Sequence, residues 1–104
     1  MKVVFHVDEL PKWSEAMKNI HNAKAGCPNL QIVLLVNGAA ITGFLDEQYQ
    51  DFLREPGVEF HACHNALKAF KIPEEQLPEP VTVVPAGVLD LIKLQHLGYA
   101  YIKP

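Results

Sequence analysis

Cysteine is scarce in this chain: Cys27 and Cys63 are the only two among 104 residues. Two are too few for a disulfide scaffold, and their spacing makes neither a C-x-x-C redox pair nor a zinc ribbon. Long apolar runs are missing as well. The longest, Ile32 to Val36, falls far short of the roughly 18 residues that a bilayer crossing needs, so no membrane association is expected. Cationic surface is also lacking: nine Lys and Arg stand against twelve Asp and Glu, a net charge of −3, and the bases are scattered. Without massed positive charge there is little counterion release to gain on a phosphate backbone, and nucleic acid is not an expected partner. The motifs G-x-G-x-x-G, G-K-[ST], G-x-S-x-G and H-E-x-x-H do not occur, which removes the usual signatures of dinucleotide, nucleoside triphosphate, serine hydrolase and zinc protease sites. Asp8-Glu9-Leu10-Pro11, after the first apolar run, also lacks the hydroxyl-rich phosphate cradle of a flavodoxin. No cofactor is expected. Met1 to His6 runs straight into a strand pattern with no cleavable apolar region, and the expected compartment is the cytoplasm.

What is present is enough apolar side chain, 49% of residues, to build one core, in a length that suits a single domain over residues 1–104. Short apolar runs at Val3–Val7, Leu30–Val36, Val58–Ala62, Val81–Val84 and Tyr99–Ile102 alternate with longer amphipathic segments, the pattern of a βαβ series. Acids and Pro11 mark a helix start after the first run. Trp13, Ala16, Met17, Ile20 and Ala23 then recur at helical spacing until Gly26 and Pro28 stop them. Ile41 to Leu53 reads as a helical region with a break near Gly43. A helix opens at Cys63-His64-Asn65 and ends before Pro73, Pro73–Gln76 makes a single turn, and the last helix spans Gly87–Leu97. The predicted architecture is a three-layer α/β/α domain with an open, mainly parallel five-stranded sheet.

In such a sheet the strand-to-helix turns gather at the carboxyl edge, where ligands bind. That edge receives Asp8 and Glu9, then Asn37 and Gly38, then Cys63, His64 and Asn65, and finally Pro85, Ala86 and Gly87. Cys27 belongs to the opposite edge. Strands rising about 3.3 Å per residue should hold the two cysteines beyond the roughly 7 Å limit for a disulfide. Cys63 has two readings. At a helix start, backbone N–H groups and the neighbouring His61 and His64 favour a thiolate and hence a nucleophile; equally, free cysteine is a common small buried apolar residue. His61, Cys63 and His64 offer three metal-ligating atoms but find no fourth at suitable spacing, so no metal site is expected. His6, His21 and His96 read as surface or satisfied core histidines. Asn37-Gly38 is either turn chemistry or an amide facing the crevice of Cys63. Pro85-Ala86-Gly87 leaves a helix start free of bulky side chains, which suits a small anion or plain helix entry.

Taken together, several segments resemble the DsrE/DsrF-like proteins of the YchN-type fold. They are Val3-Val4-Phe5-His6-Val7-Asp8, Ile32 to Gly38, Val58-Glu59-Phe60-His61-Ala62-Cys63-His64-Asn65-Ala66-Leu67, Val83-Val84-Pro85-Ala86-Gly87-Val88 and Gln95-His96-Leu97-Gly98-Tyr99-Ala100-Tyr101-Ile102-Lys103-Pro104. The resemblance implies a five-stranded domain assembled as a homo-oligomer, a trimer or hexamer, with a role in intracellular sulfur handling. In its sulfur-relay members a cysteine after the third strand carries a persulfide, and Cys63 falls on that position, with sulfur-donor and sulfur-acceptor proteins as partners. The leading expectation is therefore a sulfur carrier of sulfurtransferase type. Cys63 is its reactive residue, and Asn37, Gly38, His64, Asn65, Ala86 and Gly87 line the site, His64 or Asn65 donating to the sulfur. The alternative expectation is a non-catalytic oligomeric module that binds a small anion or a protein partner at the same crevice.

Overall fold

Five apolar runs become strands in the computed structural model, which describes residues 1–104: β1 (Lys2–Val7), β2 (Gln31–Val36), β3 (Val58–Cys63), β4 (Val81–Val84) and β5 (Ala100–Ile102). All neighbours pair in parallel, in the order β4-β3-β2-β1-β5. Three α-helices accompany them: α1 (Trp13–Gly26), α2 (His64–Ala69) and α3 (Gly87–His96). The layered α/β fold read from the sequence is the fold observed.

Chain direction decides which face each connection covers. From β1 to β4 the chain steps one strand at a time the same way, so right-handed crossovers place α1, the β2–β3 connection and α2 on one face. The passage from β4 to β5 runs back across β3, β2 and β1, and the same handedness carries α3 to the other face. The first face holds the larger core: Val3, Phe5, Val7, Ile32, Leu34, Val36 and Phe60 pack under Trp13, Ile20, Ile41 and Leu53. The second holds a smaller one, in which Val4, Val33, Leu35 and Val84 meet Leu91 and Leu94 of α3.

The β2–β3 connection departs from the expected α-helix with a break near Gly43. It is a series of 3-10 segments, Gly38–Leu45, Glu47–Tyr49 and Phe52–Arg54. The reason lies in Trp13, which is wholly buried. Its Nε1–H donates to the Ala40 carbonyl oxygen at 2.8 Å, taking an acceptor that a continuous α-helix would use internally. Its indole stacks on Tyr49 at 4.9 Å between centroids and meets Phe44 edge-on at 5.2 Å. Gly43 lies so close to this ring that a Cβ there would sit 2.2 Å from Nε1.

Two ion pairs tie sequence-distant segments to this frame. Lys24 of α1 reaches Glu55 at 2.6 Å and also donates to the Pro56 carbonyl oxygen, fixing the approach to β3. Lys103, just beyond β5, reaches Asp8 at 3.0 Å, just beyond β1. The lysine partners hold both the Glu55 and Asp8 carboxyl groups below their ordinary range, chiefly through these hydrogen bonds, and Asp8 in turn raises Lys103.

Two expectations follow from the packing and the charges. Gly43→Ala should destabilise the domain by about 2–3 kcal/mol and lower Tm by roughly 10 °C or more, because the indole has no room to retreat; an unchanged thermal midpoint would contradict the contact. Because the folded carboxyl groups titrate below their unfolded values, their stabilisation is present above about pH 4 and lost as pH falls through the folded value. Lys103, being raised, contributes below its unfolded value of about 10.4 and loses that contribution as pH rises through the folded one. Lys24→Met and Lys103→Met should therefore each be less stable than the parent at neutral pH, and the difference should shrink in strong acid. Urea unfolding at both pH values measures it, and a pH-independent difference would refute the pairs as its source.

Candidate functional site

Adjacent strands β3 and β4 send their connections to opposite faces, α2 to one and α3 to the other, so the switch point of the sheet, where a crevice is expected, lies between their carboxyl ends. Cys63 closes β3 and Val84, its register partner, closes β4. Pro85 and Ala86 then lead into Gly87, the first residue of α3. The Gly87 N–H has no acceptor within its own helix, as for any first-turn amide, and it donates to Cys63 Sγ at 3.2 Å. The cysteine is 6% exposed, and the sulfur is thus held at the positive end of a ten-residue helix.

The loop after β2 completes the crevice. A Cβ on Gly87 would lie 3.2 Å from both Cβ and Nδ2 of Asn37 and 3.3 Å from Leu35 Cδ1, so glycine lets α3 start directly against the Asn37 carboxamide. Asn37 precedes a 3-10 segment, a position from which asparagine commonly caps the following turn, yet its side chain makes no capping bond. Its Oδ1 pairs with His6 Nε2 at 2.8 Å, and His6 Nδ1 lies 2.6 Å from the Tyr101 hydroxyl.

Of the residues singled out from the sequence, Asn37, Cys63, Ala86 and Gly87 come together here, and three others do not. The sequence points to the helix of Cys63 itself, and to His64 or Asn65, for donors to the sulfur. That helix, α2, has only six residues. The His64 imidazole turns to Glu74 at 3.5 Å, and Asn65 faces solvent. The donor to the sulfur is instead a backbone amide of the neighbouring helix. Gly38 has a turn role: its φ is +55°, and a Cβ would fall 2.9 Å from the Asp8 carbonyl oxygen. His61, on the same strand face as Cys63, is bound to Asp90 at 2.7 Å and Glu59 at 3.3 Å. No three His, Cys, Asp or Glu side chains converge to hold a metal ion. Both cysteines are free thiols, with Cys27 at the far edge before β2.

His6 and Tyr101 join the site without a signal in the motifs. His6 lies on the α3 side of β1, two residues from Val4, and Tyr101 pairs in register with Val4. The alternation of β1 reveals the face of His6, but only the placement of β5 beside β1 brings the tyrosine to it.

The sequence model of the DsrE/DsrF-like family matches residues 1–104. Among solved structures, MTH1491 from Methanobacterium thermoautotrophicum, described as a protein of unknown function, is similar with a TM-score of 0.89 and 29% identity, over 99% of this chain and 98% of its own. The ychN protein from E. coli is similar with a TM-score of 0.78 over 100% of both chains, and at 15% identity the likeness is one of fold. No curated protein matches the sequence. No helix is long and apolar enough to cross a membrane. With a match that runs from the first residue to the last, the chain belongs to the DsrE/DsrF-like family.

Proposed function

We propose that the protein is a sulfur carrier of sulfurtransferase type that holds sulfur as a persulfide on Cys63. The observation that carries this reading is the hydrogen bond from the α3 N-terminal amide of Gly87 to Cys63 Sγ, set in the crevice between β3 and β4. Family membership adds the sulfur-relay context. The step is an exchange at sulfur. The Cys63 thiolate attacks the outer sulfur of a donor persulfide, R–S–SH, forming a new S–S bond. The donor's own S–S bond breaks with its electron pair leaving on R–S⁻, which takes up the proton that Cys63 gave up. Transfer to an acceptor thiol repeats the exchange, and no external oxidant enters. The Gly87 N–H favours negative charge on Sγ in the attacking thiolate and again in the thiolate left after transfer, while in the loaded form the charge sits on the outer sulfur. A shallow cavity of about 280 Å³, lined by Val84, Pro85, Ala86, Leu89, Asp90 and Lys93, adjoins the first turn of α3 on the same side.

Whole-protein mass spectrometry after incubation with a persulfide donor tests the proposal. The parent and Cys27→Ser should each gain one sulfur atom, and Cys63→Ser should gain none. A parent protein that gains no sulfur would leave the crevice as a binding site and remove the carrier role.

Self-assembly into a trimer or hexamer is part of the same proposal. Helix α3 buries Leu91 and Leu94 on one side, while Val88, Leu89 and Ile92 on its other side are 61%, 62% and 59% exposed. A helix apolar on both faces is ordinarily covered on both, and the covering partner proposed is a second copy of the chain. Light scattering should give a multiple of the 11.6 kDa monomer, reduced by Ile92→Glu; a monomeric parent at micromolar concentration would overturn it.

A further inference from the structure

We propose that His6 and Tyr101 are positioning residues that aim the Asn37 carboxamide at the outer sulfur of a loaded Cys63, where its Nδ2–H₂ supplies a second hydrogen-bond donor beside Gly87. This rests on the persulfide reading above and deepens it. The direction of the hydrogen bonds comes first. Asn37 Oδ1 can only accept, so the His6 Nε2 that lies 2.8 Å away must carry the proton. In the neutral imidazole Nδ1 then has the lone pair, and the Tyr101 hydroxyl at 2.6 Å donates to it. Tyr101 O–H, His6 N–H and Asn37 carbonyl thus form one chain of bonds running the same way, which strengthens each link.

The two ends of the carboxamide face opposite ways. Oδ1 lies on the histidine, and Nδ2 is turned to Gly87, where it lies 3.2 Å from the place a Cβ would take. Nδ2 makes no hydrogen bond within the protein, although the residue is half-buried, and it does not bond the resting Sγ, whose protein donor is Gly87 N–H. Asn37 and Cys63 each follow the register pair Val36–Ala62 on adjacent parallel strands, so the carboxamide is a neighbour of a second sulfur about 2.05 Å beyond Sγ. The Oδ1 that could cap the following turn is the atom paired with His6.

The test is a double-mutant cycle on the rate of sulfur uptake from a small-molecule persulfide. Asn37→Ala should slow loading about tenfold, the value of one hydrogen bond to a charged group. Tyr101→Phe should slow it several-fold in the parent but cause no further loss in Asn37→Ala. Equal losses from Tyr101→Phe in both backgrounds would make Tyr101 merely structural, and an unaffected Asn37→Ala would overturn the second donor. Failure of the parent to load at all would strike the persulfide reading itself, which separates the two proposals. The relay also has a readout that needs no sulfur: the ¹⁵N shifts of His6 should report the Nε2–H tautomer in the parent and a mixture in Tyr101→Phe. A parent His6 protonated at Nδ1 alone would overturn the relay whatever the loading rates.

Discussion

The reversal of chain direction after β4 is the constraint from which the crevice derives. Had the fourth connection continued the earlier steps, right-handedness would have laid α3 beside α2 on the same face, and its first amide would have faced away from β3. Because the chain returns across the sheet to β5, α3 starts on the far face directly over the carboxyl ends of β2 and β3. A Cβ at that start would press on Asn37 and Leu35 at 3.2–3.3 Å, so glycine lets α3 begin there without displacing them. Topology brings the amide to the sulfur, and the missing Cβ lets it come close enough to bond.

The thiol consequently lies on a seam between two unequal halves. Cys63 belongs to the larger core, anchored by Trp13 and its aromatic neighbours. Gly87 belongs to a helix whose own core is a handful of valine and leucine side chains. The Sγ bond to Gly87 joins those halves across the sheet edge. On the opposite flank of the sheet, β5 is a three-residue strand whose residues are all exposed. Its attachment to β1 is reinforced by the Tyr101–His6 bond and the Lys103–Asp8 pair. The segment that helps orient Asn37 is therefore itself held by side chains from the end of β1.

Much of this was legible in the residues. The five apolar runs, the Trp13-to-Ala23 stripe, the placing of Cys63 and Cys27 at opposite edges and the glycine at the α3 start all follow from local pattern and parallel-sheet geometry. What was not legible depended on contacts between distant segments. The 3-10 character of 38–54 arises because Trp13 claims the Ala40 carbonyl and crowds Gly43, a contact that periodicity within the segment does not encode. Local pattern points to the helix of Cys63 itself for the donor, but α2 ends after six residues and the amide of α3 arrives from 24 positions along the chain. His6 looks like an ordinary strand histidine because nothing local places β5 at the edge next to β1.

The charges around the crevice explain why the fold relies on neutral dipoles there. Both histidines flanking Cys63 in sequence are occupied by carboxylates, His61 by Asp90 and Glu59, His64 by Glu74. Any positive charge they carry is offset by those acids, so neither offers the sulfur an uncompensated cation. The α3 amide remains, and its effect is confined to the first turn of the helix and loses little to added salt at a buried atom. A cation pair would favour any anion entering the region, phosphate included. A backbone N–H bonded to Sγ favours negative charge on that one atom, and an amide group held beside it by Tyr101 and His6 extends the preference only by the reach of a hydrogen bond. Under the proposed carrier reading the arrangement acts on sulfur held at Cys63 alone, in a chain whose net charge is negative.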